Sequence, residues 1–255
     1  MQNRFEGKVI AIAGGSGGIG GGVSHRLAEE GAVVIVGDLD FSAAESTASE
    51  IAAKGGRAMP LKLDIGDEAS VQSFVNDAVK AHGGIDGFHV NAASFSRARE
   101  DTDPVEMDMS VFDEMMRVNS RGYFLCTRHG VPQLIKRGGG CMLYTSSGAA
   151  HAGDSVRPVY AMSKSGVHAL ARHVASRWGK DGVRSNVIAP GLILHPKLEA
   201  NAGPQLAAEG IKRVKGTRLG APSDIAAMAA LLLSDEGGFI TGQVISIDGG
   251  GTMRS

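Results

Sequence analysis

Seven short runs rich in apolar and β-branched residues recur along this chain, separated by segments with helical periodicity. The runs are KVIAIAG (8–14), AVVIVGD (32–38), AMPLKLD (58–64), GFHVNAA (87–93), CMLYTSS (141–147), RSNVIAP (184–190) and QVISID (243–248). The helical segments fall at about 18–30, 41–54, 67–81, 110–137, 158–180 and 222–234. A strand that is apolar on both faces needs cover on both. Strands alternating with helices meet that need as a parallel sheet with helices above and below, joined by right-handed crossovers. The expectation is an α/β fold: a doubly wound parallel sheet of seven strands, in one domain over residues 1–255. The least regular stretch, 191–222, has prolines ahead of a weak helix signal. It reads as a lid over a site at the strand ends.

Composition removes several classes of function. The formal net charge is −1 and no basic run occurs, so neither nucleic acid nor an anionic membrane is an expected partner. The only cysteines, Cys126 and Cys141, have no metal-type or CxxC spacing, and the eight histidines have none either. No metal site and no disulfide framework is expected, which points to a reducing cytoplasm. The apolar run near the start is too short for a signal peptide, and no segment reaches membrane-spanning length.

Between the first strand and the first helix lies AIAGGSGGIGGG. Backbone N–H groups at a helix N-terminus favour phosphate, and glycines let it approach. Gly15, Gly17 and Gly20 match GxGxxG literally; Gly14, Gly18 and Gly20 match GxxxGxG. Either register suits a Rossmann-type dinucleotide site. Asp38 ends the second strand, where a carboxylate hydrogen-bonds a ribose 2′-hydroxyl and repels a 2′-phosphate. No cation lies in the glycine loop or next to Asp38, which favours NAD over NADP. Asp40 competes for the same role.

A second motif lies past the middle. In VYAMSKSG (159–166), Tyr160 and Lys164 are four residues apart on a helical segment, so they share a face. A cation close to a phenol favours the phenolate, lowering a pKa that starts near ~10. That gives an acid/base group able to work near neutral pH.

A GxxxGxG loop followed by YxxxK resembles the short-chain dehydrogenase/reductase family, over almost the whole chain. The resemblance selects the register Gly14, Gly18, Gly20. It implies that Ser147, thirteen residues before Tyr160, polarises the substrate oxygen, and that Tyr160 exchanges a proton with it. Lys164 would bind the nicotinamide ribose and lower the tyrosine pKa, and Asn119 in RVNSRGYF would hold a water completing a proton relay. Asp64 matches the aspartate that contacts adenine. Further cofactor contacts implied are Ser16, Ile19, Ile65, Asn91, Pro190 of the PG turn with Gly191, and Ile193. TGQVISIDGG matches the C-terminal signature. The sequence departs from the pattern at Ala13, at VNAA (90–93) and at His195, where the family has threonine, NNAG and threonine. His195 is therefore only a candidate contact.

The implied activity is NAD-dependent interconversion of a secondary alcohol and a ketone. The alternatives are an NADPH-preferring carbonyl reductase, a dihydrodiol dehydrogenase, and a dinucleotide-binding sensor or scaffold without turnover. The long helices 110–137 and 158–180 resemble those that pair between subunits, so a homodimer or homotetramer is implied. The expected pocket segments carry Arg97, Arg99, His151, Arg157, His195 and Lys197. With Glu100, Asp101 and Asp154 nearby, these read first as solvated loop charge; the other reading is an anionic substrate.

Overall fold

In the computed structural model, residues 3–253 are described, without the side chains at 197 and 201–204. Seven strands form one parallel sheet: β1 (Val9–Ala13), β2 (Val33–Asp38), β3 (Arg57–Lys62), β4 (Gly87–Val90), β5 (Gly140–Thr145), β6 (Val183–Pro190) and β7 (Val244–Ile247). Each starts within one residue of its sequence run. The helices are α1 (Gly18–Glu29), α2 (Phe41–Ala53), α3 (Glu68–His82), α4 (Met109–Met116), α5 (Tyr123–Lys136), α6 (Pro158–Trp178), α7 (Pro196–Arg213) and α8 (Pro222–Leu233).

The two-sided apolar pattern of β1 dictates the layering. Successive side chains of a strand point to opposite faces. Val9, Ala11 and Ala13 join one core with Phe74 of α3, Leu134 of α5 and Val167 of α6. Ile10 and Ile12 join the other, with Leu27 of α1, Ile51 of α2 and Ile225 of α8. Fully burying an isoleucine or valine contributes about 1.5–3 kcal/mol, so a sheet with either face open would forgo much of its stability. Asp40, Asp67 and Asp108 cap α2, α3 and α4 by accepting main-chain N–H bonds.

The strand order is β3-β2-β1-β4-β5-β6-β7. The chain winds one way from β1 to β3 and the other way from β4 to β7. The winding reverses between β1 and β4, which pair directly from Ile10 with Gly87 to Ala13 with Val90. That switch point opens a crevice at the carboxyl ends of the strands, where ligands bind in such sheets.

One expectation needs correction. The helix expected over 110–137 is not continuous: α4 and α5 are joined by a π-helical turn, Arg117–Gly122, whose wider winding turns Asn119 inward to full burial. In α6, Val159, Val167 and Val174 are buried in the protomer's own cores. The stretch 191–222 is also more regular than expected, because α7 occupies it.

Candidate active site

The glycine loop folds by close approach. Gly14 has φ 76°, and a Cβ there would lie 2.7 Å from the Ala92 backbone. A Cβ at Gly20 would lie 1.8 Å from the Gly14 carbonyl oxygen. Gly18 has φ 50° and its open side faces His195 Nε2. At Gly17 an added Cβ meets no protein atom within 4 Å. Of these positions, Gly14 and Gly20 would bring a Cβ within 3.0 Å of main chain, and Gly14 and Gly18 have positive φ. His195 caps α7, its Nδ1 accepting from Leu198 N at 3.4 Å.

A hydrogen-bonded chain crosses the switch point. Asn91 Nδ2 donates to Gly14 O at 3.0 Å, and Asn91 Oδ1 accepts from Thr145 Oγ1 at 3.0 Å. With its proton committed to Asn91, Thr145 Oγ1 accepts from His89 Nε2 at 2.8 Å. That fixes the His89 tautomer, and His89 Nδ1 is left buried without a hydrogen bond. Burial, with a smaller contribution from the Lys164 charge, pushes the His89 pKa down to about 3. Between pH 6.5 and that value the unfolded chain binds a proton that the folded one refuses, so stability falls as pH falls through this window. From pH 6.5 to 4 the loss is about 3 kcal/mol at 1.36 kcal/mol per unit. His89→Gln keeps a donor and cannot ionise. Chemical denaturation across that range should give it a distinctly shallower loss than the wild type; parallel curves would contradict the assignment.

Asp38 sits at the β2 end: its Oδ2 accepts from Ser16 Oγ at 2.5 Å and Ser16 N at 3.3 Å, and its Oδ1 from Asp40 N at 3.2 Å.

 The Asp38 side chain is half-buried at the rim of the crevice. A carboxylate has about four lone-pair positions, so capacity remains for a ribose hydroxyl. Asp40, the competing candidate, is committed to capping α2 through Ala43 N at 3.2 Å. Beyond β3, Asp64 accepts from Gly66 N at 2.8 Å and pairs with Arg117 at 3.3 Å. Ile65 is buried against the π-helical turn, and Ile19 packs against the α1-side core. Pro190 ends β6 opposite Ile247, and Ile193 is buried just beyond, bridging to Gly220.

On the other side of the crevice, Ser147 starts a short 3-10 turn and accepts from Ala149 N at 3.2 Å. Its hydroxyl lies close enough to the Tyr160 phenol to lower the phenol's pKa. Lys164, one turn along α6, is fully buried; its Nζ donates to Tyr123 Oη at 2.7 Å and to Thr145 O at 3.0 Å. Asn119 Oδ1 accepts from Ser94 N at 2.8 Å, tying the π-helical turn to the segment after β4.

The electrostatics correct one expectation. Burial raises the Tyr160 pKa above its ordinary value, against the lowering effects of the Ser147 hydroxyl and the Arg157 charge. Burial also brings Lys164 down to about 7, so near neutrality its ammonium is only about half charged. Its Nζ lies 4.4 Å from the Tyr123 ring centroid and 5.9 Å from that of Tyr160. The cation is thus held mainly by Tyr123, a residue the sequence reading passed over. The available signal was its place four residues after Asn119.

The substrate-side charges are mostly paired. Arg97 binds Glu100 at 2.5 Å and Ser110 Oγ at 2.7 Å, and Arg157 lies 3.7 Å from Asp154. Lys197 falls outside the described side chains. The exposed Phe95 ring stacks obliquely on Tyr160, with centroids 5.1 Å apart.

The fold and this crevice define a doubly wound α/β protein of the dinucleotide-binding type. The family model described as enoyl-(acyl carrier protein) reductase matches residues 13–252. A probable short-chain type dehydrogenase/reductase of Bradyrhizobium diazoefficiens is 38% identical over 98% of this chain and 89% of its own length. The 7alpha-hydroxysteroid dehydrogenase of Bacteroides fragilis is 32% identical over 100% of this chain and 98% of its own. A solved 7 alpha-hydroxysteroid dehydrogenase, complexed with NADH and 7-oxo glycochenodeoxycholic acid, superposes with a TM-score of 0.91 at 30% identity, covering 99% of this chain and 97% of that one. The chain belongs to the short-chain dehydrogenase/reductase family, and it is an oxidoreductase of that family.

Proposed function

We propose that the protein is an NAD-dependent oxidoreductase interconverting a secondary alcohol and a ketone, with Tyr160 as the acid/base. The observation that carries this reading is the buried Tyr160 phenol close enough to Ser147 for that hydroxyl to lower its pKa, with buried Lys164 one turn away, beside the glycine crevice. A nicotinamide held in the crevice would supply or accept the hydride. Ser147 holds and polarises the substrate oxygen, and Tyr160 delivers or removes its proton. Lys164 and Asn119 serve the ribose and the proton relay. Gly14, Ser16, Gly18, Gly20, Asp38, Asp64 and Asn91 hold the dinucleotide; the close glycine approaches support that cradle.

The paired state of Arg97 and Arg157, and the exposed Phe95 ring on Tyr160, favour a neutral ring-bearing alcohol over an anion. The stretch 191–222 acts as the lid, with His195 against Gly18 at its hinge. Exposed Phe124 of α5 and Met162 of α6 are available for subunit pairing as a dimer or tetramer. Cys126 and Cys141 are both free and buried, compatible with a reducing cytoplasm. Among the described residues no helix is long and apolar enough to cross a membrane. The test is a screen of cyclohexanol, a cyclohexadienediol and a 7α-hydroxy bile acid with NAD and NADP, read at the reduced-nicotinamide band. No turnover with any secondary alcohol or ketone would overturn the reading.

Cofactor choice should follow Asp38. A charge-assisted hydrogen bond contributes about 1.5–3 kcal/mol, and each 1.4 kcal/mol is about tenfold. NAD should therefore be preferred by about tenfold to a hundredfold. Asp38→Ala should relax the kcat/KM ratio, and adding Leu39→Arg should begin to reverse it. An unchanged ratio in Asp38→Ala would remove Asp38 as the discriminating residue.

A further inference from the structure

The catalytic helix α6 begins without a cap of its own. Its N-cap residue, Arg157, makes no side-chain capping bond and has left-handed backbone geometry, φ 66° and ψ 47°, uncommon for a residue other than glycine. Pro158 follows, with no N–H to donate. The remaining donors of this first turn all go to one residue far away in sequence. Asp101 O accepts from Arg157 N at 2.8 Å, Asp101 Oδ1 from Val159 N at 3.1 Å and Asp101 Oδ2 from Tyr160 N at 2.9 Å. Asp101 is only 1% exposed, and a buried carboxylate is tolerated where its oxygens accept such bonds. The segment that carries Asp101 also carries Phe95, whose ring lies on Tyr160. One loop therefore holds both the main chain and the ring of the same tyrosine.

We propose that Asp101 is a positioning residue for Tyr160, setting the phenol's place against Ser147 from the loop between β4 and α4. This rests on the reading of Tyr160 as the acid/base. Both carboxylate oxygens are needed. An asparagine would turn an N–H₂ group toward one main-chain N–H, and an alanine would leave both donors unpaired. Either change frees the start of α6 and moves the phenol away from Ser147, whose hydroxyl lowers the phenol pKa. In the direction of alcohol oxidation, the rise of kcat/KM with pH should then move to higher pH.

The test compares wild type, Asp101→Asn, Asp101→Ala and Tyr160→Phe, using the alcohol turned over fastest in the screen above. Misplacing a reacting group by about 1 Å costs about a hundredfold. The expected result is a fall in kcat of about tenfold for Asp101→Asn and up to about a hundredfold for Asp101→Ala, with NADH affinity nearly unchanged and the pH profile displaced upward. Hydrogen exchange should accelerate at the amides of Val159 and Tyr160. If Asp101→Ala does not fold, Asp101→Asn decides. A lowered melting temperature with an unchanged pH profile and unchanged kcat per folded molecule would make Asp101 purely structural and overturn the proposal. An inactive Tyr160→Phe beside unaffected Asp101 variants would overturn this assignment alone; an active Tyr160→Phe would remove the acid/base reading and this proposal with it.

Discussion

Tyr160→Phe is expected to lower kcat by about 10²–10⁴-fold, the usual contribution of a positioned acid/base, while leaving NADH affinity within about threefold. The ring has its own place: it packs with Val111, Met115 and Val159 and stacks on Phe95, and phenylalanine preserves all of that. What disappears is the hydroxyl that faces Ser147. The folded fraction should hardly change, so the loss falls on the chemical step and not on KM for the dinucleotide. Steady-state kinetics and a fluorescence titration with NADH separate the two. A variant that keeps most of its kcat would end the assignment of Tyr160.

Gly20→Ala should be nearly as damaging for a different reason. Its Cβ would lie 1.8 Å from Gly14 O and 2.8 Å from Asn91 Nδ2. The first atom is main chain in a tight turn and cannot swing aside. The start of α1 must therefore move off the β1 turn, breaking the Asn91–Gly14 link at the switch point. Overpacking of this kind costs about 1–3 kcal/mol. NADH affinity should fall by at least about tenfold, since 1.4 kcal/mol of displaced binding geometry is tenfold. Gly17→Ala is the control: it meets no protein atom within 4 Å and its φ of −160° is ordinary extended backbone, so its melting temperature should match the wild type. Equal melting temperatures and NADH affinities for Gly20→Ala and wild type would contradict the close-approach account.

The layered fold was legible because β1 and its neighbours are apolar on both faces, and only a covered parallel sheet satisfies that pattern. The glycine loop and Asp38 follow strand runs and Tyr160 and Lys164 share a helix face, which spacing alone makes legible; Ser147 entered only through the family resemblance. Other features depend on distances that sequence spacing does not encode. The π-helical turn at Asn119 interrupts a helix whose periodicity reads as continuous. Asp101 reaches Tyr160 across fifty-nine positions, and nothing local distinguishes it from Glu100 beside it. The pKa values of Lys164 and Tyr160 follow from burial, which the i, i+4 spacing alone could not weigh against their mutual charge effect.

The most direct test of the central claim follows the hydride itself. A secondary alcohol carrying deuterium on its carbinol carbon is incubated with NAD and the wild-type protein, and the NADH formed is examined by mass spectrometry. The account predicts ketone and deuterated NADH in equal amounts, and both formed about 10²–10⁴-fold more slowly with Tyr160→Phe. NADH formed without deuterium, or ketone formed with no reduction of the dinucleotide, would contradict it.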